Sequence, residues 1–236
     1  MSYYIDFHAL QSTVPANLNR DDSGSPKSTV FGGTRRARVS SQSWKRAIRR
    51  EFEELVDPAA LGERTLRAVE RIATSIAEQD PEYAAEAETM AVEALKTAGL
   101  KMAKPKKSKD GDMAPAKPLT ESLVFLGRSQ IEALAALAID AYANNDGKFD
   151  KKLVKQAFTD DHAYDVALFG RMIADAPDLN ADACCQVAHA ISVHPLDAEF
   201  DYFTAVDDNA PEDNAGAGMI GTLEFNSSTY YRYATI

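Results

Sequence analysis

Sixteen residues from Phe31 to Arg46, FGGTRRARVSSQSWKR, concentrate the chemistry of this 236-residue chain. Gly32 and Gly33 allow close backbone approach. Arg35, Arg36 and Arg38 put three guanidinium groups within four residues. Ser40, Ser41, Gln42 and Ser43 then make a hydroxyl- and amide-rich turn that opens a helix. The free N–H groups and dipole at such a helix start favour a phosphate. Lys45, Arg46 and Arg49 add charge along one rim. These groups suit a sugar-phosphate backbone, and none is an obvious base reader. A solvated helix face with a serine cap would use the same residue types, so charge has to decide. The whole chain is acidic, at −10, but the acid is not shared evenly. Residues 1–50 hold nine Lys/Arg and three acids, against 17 and 33 in the remaining 186, and Ser23–Arg50 contains no acid. That asymmetry points to an anionic partner for the N-terminal part.

Three other groups carry possible chemistry. Asn19-Arg20-Asp21-Asp22 with Lys27 offers paired carboxylates for a metal or for acid–base work. The same residues suit a loop in which Arg20 pairs with an aspartate and the carboxylates cap turns. Cys184, Cys185, His189 and His194 lack the spacing of a metal set, because adjacent strand residues point to opposite faces; ordinary core residues are expected. Met172, Phe200, Tyr202, Phe203, Tyr230, Tyr231 and Tyr233 can stack or splay unpaired bases, or simply fill a core. The phosphate-loop, dinucleotide and G-x-S-x-G motifs are missing.

These residues need elements to position them. Tyr3, Ile5, Phe7 and Ala9 alternate with Tyr4, Asp6, His8 and Leu10 in a strand over 3–10. A loop is predicted over 11–33, then a short strand over Thr34–Val39. Ser40 or Ser41 caps a helix to about Val56, with Trp44, Ala47, Ile48, Phe52 and Leu55 as its apolar stripe. Residues 60–100 give two helices divided at Asp80-Pro81, and lysine-rich 101–118 an exposed mobile loop. A strand at Leu119–Leu126 and helices at Ser129–Ala143 and Lys151–Phe158 follow, then a strand at Asp165–Phe169 leading into Gly170-Arg171-Met172. The tail is β-rich: Cys185–Ile191 alternates, 207–218 is a loop, and strands at Met219–Phe225 and Thr229–Ile236 join through a turn at Asn226-Ser227-Ser228. An apolar share of 45% is that of a globular protein of one large or two small domains. No run approaches the ~18–20 apolar residues of a membrane span, and the N-terminus lacks the pattern of a secretory signal. The two cysteines, adjacent in sequence, fit a reducing compartment, so a cytoplasmic location is expected.

Six segments stand together in a recognisable order: LNRDD (Leu18–Asp22), FGGTRRARVSSQSWKRAIR (Phe31–Arg49), GRM (Gly170–Met172), AHAIS (Ala188–Ser192), DYFTAVDD (Asp201–Asp208) and YYRYA (Tyr230–Ala234). In these the chain closely resembles the CasC subunit of the type I-E CRISPR Cascade complex. The likeness covers most of the chain and is weak between about 57 and 165. It implies an α+β fold with a modified RRM-like (ferredoxin-like) palm, a helical fingers insertion and a β-hairpin thumb. On this chain the palm would take 1–56 and 181–236, the fingers mainly 57–180, and the thumb about 193–225.

The resemblance also implies a function. Such subunits polymerise along crRNA in an antiviral ribonucleoprotein, hold its phosphates and leave most bases free to pair with target DNA. Their partners are further copies of themselves and the CasA, CasB, CasD and CasE subunits; no membrane or cofactor is involved. Asn19, Arg20, Lys27, Arg36, Arg38, Ser40, Gln42, Lys45, Arg46 and Arg49 would bind RNA. Met172 and Phe200 or Phe203 would flank a base that the thumb displaces. Asp21 and Asp22 fall where related type III subunits carry a cleaving aspartate, but the type I-E family does not cleave with this subunit, so no catalysis and no metal are expected. A different class, a guide-RNA processing endoribonuclease with His8 as general base, is the alternative; a module docking an acidic protein is a third. Family members continue for about another domain (~100 residues) beyond the YRYA strand. The chain is therefore expected to be a truncated or short form, and one with an exposed sheet edge if palm strands are missing.

Overall fold

The computed structural model describes residues 3–104, 117–205 and 219–236. In chain order the elements are β1 (Asp6–Ser12), β2 (Ser28–Phe31), β3 (Thr34–Val39), α1 (Ser41–Leu55), β4 (Gly62–Thr65), α2 (Ala68–Gln79), α3 (Ala87–Ala98), β5 (Val124–Gly127) and α4 (Arg128–Asn144). There follow α5 (Lys151–Thr159), α6 (Tyr164–Phe169), β6 (Gln186–Val187), β7 (Ala190–Ser192), β8 (Glu199–Ala205), β9 (Met219–Phe225) and β10 (Thr229–Thr235). They form two compact units, Met1–Ile48 with Cys185–Ile236, and Arg49–Cys184. The fold is α+β, as the resemblance implies. Most of the lysine-rich 101–118 segment and all of the 207–218 loop lie outside the described residues.

The first unit is built on an antiparallel sheet of order β1-β10-β7-β3-β2, with β6 also on β10. Strand alternation puts Ala37, Val39, Ala190 and Tyr230 on one face, where they form a small buried cluster against Trp44 and Leu196. The register places Asp6, His8, Leu10, Tyr231 and Tyr233 on the opposite face. Strand β1 ends the sheet order and is exposed along its whole length.

Two expectations fail here. Residues 28–39 are a hairpin, not a loop followed by a strand. Gly32 and Gly33 have φ of +62° and +76°, the double positive φ of a two-residue hairpin turn. A Cβ at either position would meet nothing within 4 Å, so the backbone conformation, not close approach, selects glycine. Strands β9 and β10 do not pair with each other. Strand β9 pairs with β8 throughout, Glu199 opposite Phe225 to Ala205 opposite Met219, while β10 joins the main sheet. Asn226-Ser227-Ser228 is a crossing between sheets rather than a turn: Asn226 and Ser228 are buried, and their backbones bond Ala16 and Thr13.

The second unit packs α2, α3, α4 and α5 around Ile72, Ile76, Met90, Leu95, Leu134, Val154 and Phe158. The helices divided at Asp80-Pro81 form as expected. Pro81 opens a short 3-10 turn for which the Asp80 side chain accepts the Glu82 N–H, at 3.0 Å. The start of the 60–100 stretch is not helical as expected: Gly62–Thr65 is the strand β4, which pairs with the wholly buried β5. Asp165–Phe169 is helical, not a strand. The helix opens at Tyr164, buries Asp165 and Val166, and ends at Gly170, which has φ +75°.

Candidate nucleic-acid interface

The basic loop and the start of α1 are tied together by main-chain and amide bonds within the first unit. The Ser40 N–H donates to Asn19 Oδ1 at 2.9 Å. The Lys27 N–H donates to the Asn19 carbonyl at 2.8 Å, and the Arg38 N–H to the Lys27 carbonyl at 2.9 Å. Arg20 and Pro26 form a β-bridge that closes the loop between them. Ser40 is buried, and its Oγ accepts the Ser43 N–H at 3.3 Å, the N-cap bond expected from the sequence. Lys27, at the foot of β2, is thus held beside the opening turn of α1, and the exposed Arg20 stands on the same closed loop. Gln42 and Arg46 are exposed on the helix and Lys45 is half-buried.

Asp21 does the work of a turn cap. Its Oδ1 accepts the Ser23 hydroxyl at 2.7 Å and the N–H groups of Ser23 and Ser25 at 2.9 and 3.0 Å. Those bonds, led by the Ser23 hydroxyl, hold its carboxyl below the usual aspartate range. No cluster of three metal-ligating side chains occurs among the described residues.

Other expected contacts have partners in the chain. Arg36 donates to the carbonyls of Phe31 and Ser192, both at 3.0 Å, and so staples the hairpin to β7. Arg38 approaches His189 Nδ1 at 3.5 Å. Trp44 carries the Arg232 guanidinium 3.7 Å above its ring. The stripe of α1 is only half used: Ala47 and Leu55 are exposed, and the helix has no fully buried residue. His8 Nδ1 lies 2.7 Å from the Tyr231 hydroxyl.

Arg49 falls in the second unit. Its Nε donates to Asp165 Oδ2 at 2.8 Å, a second nitrogen donates to the Gly62 carbonyl at 3.1 Å, and the guanidinium lies 4.2 Å over the Phe125 ring. Asp165 is buried and also accepts the Gly62 N–H at 2.8 Å. Met172 is 80% exposed.

On the β8–β9 hairpin the register separates the two phenylalanines. Phe200, Tyr202 and Ile220 share one face and are well exposed; Phe203 lies on the other. The Phe203 ring covers Gly221, where a Cβ would stand 2.5 Å from it. Ile220 was not among the expected site residues; Tyr202 stood in the aromatic set read from the sequence but not among the residues the resemblance assigns to the displaced base. The alternation in EFDYFTA was the one signal that could have placed Tyr202 beside Phe200.

An antiparallel sheet carrying a basic loop and helix start, joined to a helical unit and a separate aromatic hairpin, defines a class of α+β protein with known members. The family described as CT1975-like protein matches residues 5–236, and the chain belongs to that family. A solved chain from a CRISPR RNA-guided surveillance complex, pre-nicking, is 37% identical and superposes with a TM-score of 0.80, over 99% of this chain and 64% of that one. A second, from a CRISPR RNA-guided surveillance complex, is 31% identical with a TM-score of 0.69, over 99% and 63%. The chain thus spans just under two thirds of the length of each. No curated protein matches it.

Proposed function

We propose that this chain is a non-catalytic backbone subunit of a type I-E CRISPR surveillance complex, which polymerises along crRNA and holds it by its phosphates. The observation that carries the proposal is the bonded cluster in which Asn19 holds Lys27 and Ser40, and Lys27 in turn holds Arg38, the last three lying in the acid-free stretch Ser23–Arg50 at the start of a helix. Similarity to subunits of RNA-guided complexes supports it. Arg20, Lys27, Lys45 and Arg46 supply charge; Gln42 and the first N–H groups of α1 supply directed donors, with the buried Ser40 capping the helix that presents them. Asn19 and Arg36 hold that surface in shape, and Arg49 braces the second unit. Met172 in the second unit and the Phe200 face of the hairpin in the first are each a surface for a displaced base. CasA, CasB, CasD and CasE, further copies of the chain and target DNA paired to the guide are the proposed partners, in the cytoplasm.

Native mass spectrometry of the chain co-expressed with a guide RNA and those subunits tests this. The expected result is one defined mass with several copies of the chain on one RNA, and intact complementary RNA after incubation with magnesium. A complex lacking the chain, or RNA cleavage abolished by Asp22→Ala, would overturn it.

A further inference from the structure

Met172 stands between two neighbours that are fully committed to the second unit. Arg171 is 3% exposed and Ile173 is 0%. The N–H and C=O of Arg171 exchange hydrogen bonds with the C=O and N–H of Ala181, both at 2.9 Å. Its guanidinium donates to the carbonyls of Leu179 at 2.8 and 2.9 Å, Phe158 at 2.7 Å and Phe125 at 3.3 Å. On the other side, the Ile173 N–H donates to Asn180 Oδ1 at 2.7 Å. Before Arg171, Gly170 sits at φ +75°, where a Cβ would lie 2.8 Å from the Ala181 carbonyl. The backbone is therefore pinned immediately before and immediately after the one side chain that points out.

The buried arginine is an unusual choice for stability alone. Among the described residues no carboxylate pairs with it, and burial lowers its guanidinium to about 10, so it is still a cation at neutral pH. A well-packed apolar side chain fills such a space at no desolvation cost. What the fork adds is geometry, because it ties residue 171 to three separate carbonyl-bearing segments at once. A side chain that must hold a base out of its stack works against stacking energy. It loses effect if its own backbone has first to be ordered. Methionine, polarizable and unbranched, suits contact with a base face once its Cα is fixed.

We propose that Arg171 and Asn180 are positioning residues that hold Met172 as a rigid wedge against a displaced RNA base. The proposal rests on the guide-RNA function above. The test is a guide RNA with 2-aminopurine placed at successive positions and assembled with the chain and its partner subunits. A displaced base is read as a bright position, and binding affinity is measured in parallel. Met172→Ala should darken the bright position. Asn180→Ala, which removes one exposed acceptor, should lower the brightness at least threefold or spread it to adjacent positions, with affinity changed less than twofold. Asn180→Asp keeps the acceptor and should restore the signal. Arg171→Lys, which keeps the charge and loses the fork, should behave as Asn180→Ala does. Wild-type brightness in Asn180→Ala, with darkening in Met172→Ala, would overturn the positioning role alone. Unchanged brightness in Met172→Ala would overturn the base contact on which it rests.

Discussion

The side-chain oxygen of Asn19 accepts the backbone N–H of Ser40, 21 residues away, so a loop residue caps the approach to α1. The bond sets the place of Lys27 as well, because the Lys27 N–H donates to the carbonyl of the same asparagine. Asn19→Ala should therefore cost stability and RNA affinity together. Loss of one such intramolecular hydrogen bond is worth about 1 kcal/mol. The melting midpoint should fall by a few degrees and RNA should bind several-fold more weakly. Asn19→Asp, which keeps an acceptor, should recover most of the stability. Unchanged affinity in a folded Asn19→Ala variant would show that the cap does not organise the phosphate site.

Arg49 separates stability from binding. Removing it leaves the buried Asp165 with only the Gly62 N–H, and the partial exposure of Arg49 moderates the loss of the pair. Arg49→Ala should cost about 2–3 kcal/mol of stability, at or below the range for breaking a buried pair. The salt dependence of RNA binding should not change. A shallower salt slope at unchanged stability would place Arg49 on a phosphate instead.

Lys45→Ala should do the reverse. Binding should weaken for all RNA sequences alike, and the slope of log affinity on log salt should shrink by about 0.7, one phosphate contact on a single strand. A sequence-dependent loss would mean that Lys45 reads a base.

His162 gives the second unit a pH dependence. Burial first, and then the charge of Arg171, lower its imidazole from the ordinary value, outweighing Asp160 and Asp161. Gln130 Nε2 lies 3.4 Å from Nδ1, a position for a neutral acceptor. As pH drops through about 6.5, the ordinary histidine value, the unfolded chain takes up a proton that the folded chain resists, so folded stability falls. Below the lowered folded value the loss levels off. The melting midpoint should drop between pH 7 and pH 5.5, and by less in His162→Gln. Equal drops in both would remove His162 as the cause.

How far the sequence could be read depended on the range of the forces involved. Helix α1 announces itself by its serine cap and by Trp44, Ile48 and Phe52 at helical spacing, and it forms where expected. The hairpin at 28–39 hid behind Gly32-Gly33, because two glycines signal an unusual backbone without saying which one. Strand β8 is exposed along its whole length, so burial left no pattern to find, and only the family resemblance pointed to a hairpin there. Helix α6 was mistaken for a strand because VALF is too short to show a period. Within the site, the run of basic residue types marked the right surface. It could not show that Arg36 and Arg49 are held by partners distant in sequence, nor that Asn19 caps Ser40, since those bonds exist only once the chain has folded.

The most direct test of the central claim is the salt dependence of affinity for unrelated single-stranded RNAs of equal length. Arg20, Lys27, Lys45 and Arg46 as the phosphate contacts give an expected slope of about −2.8, from roughly −0.7 for each contact. The same slope and similar affinities are expected for every sequence. A slope near zero, or tight binding to one sequence alone, would contradict a subunit that holds its guide by the backbone.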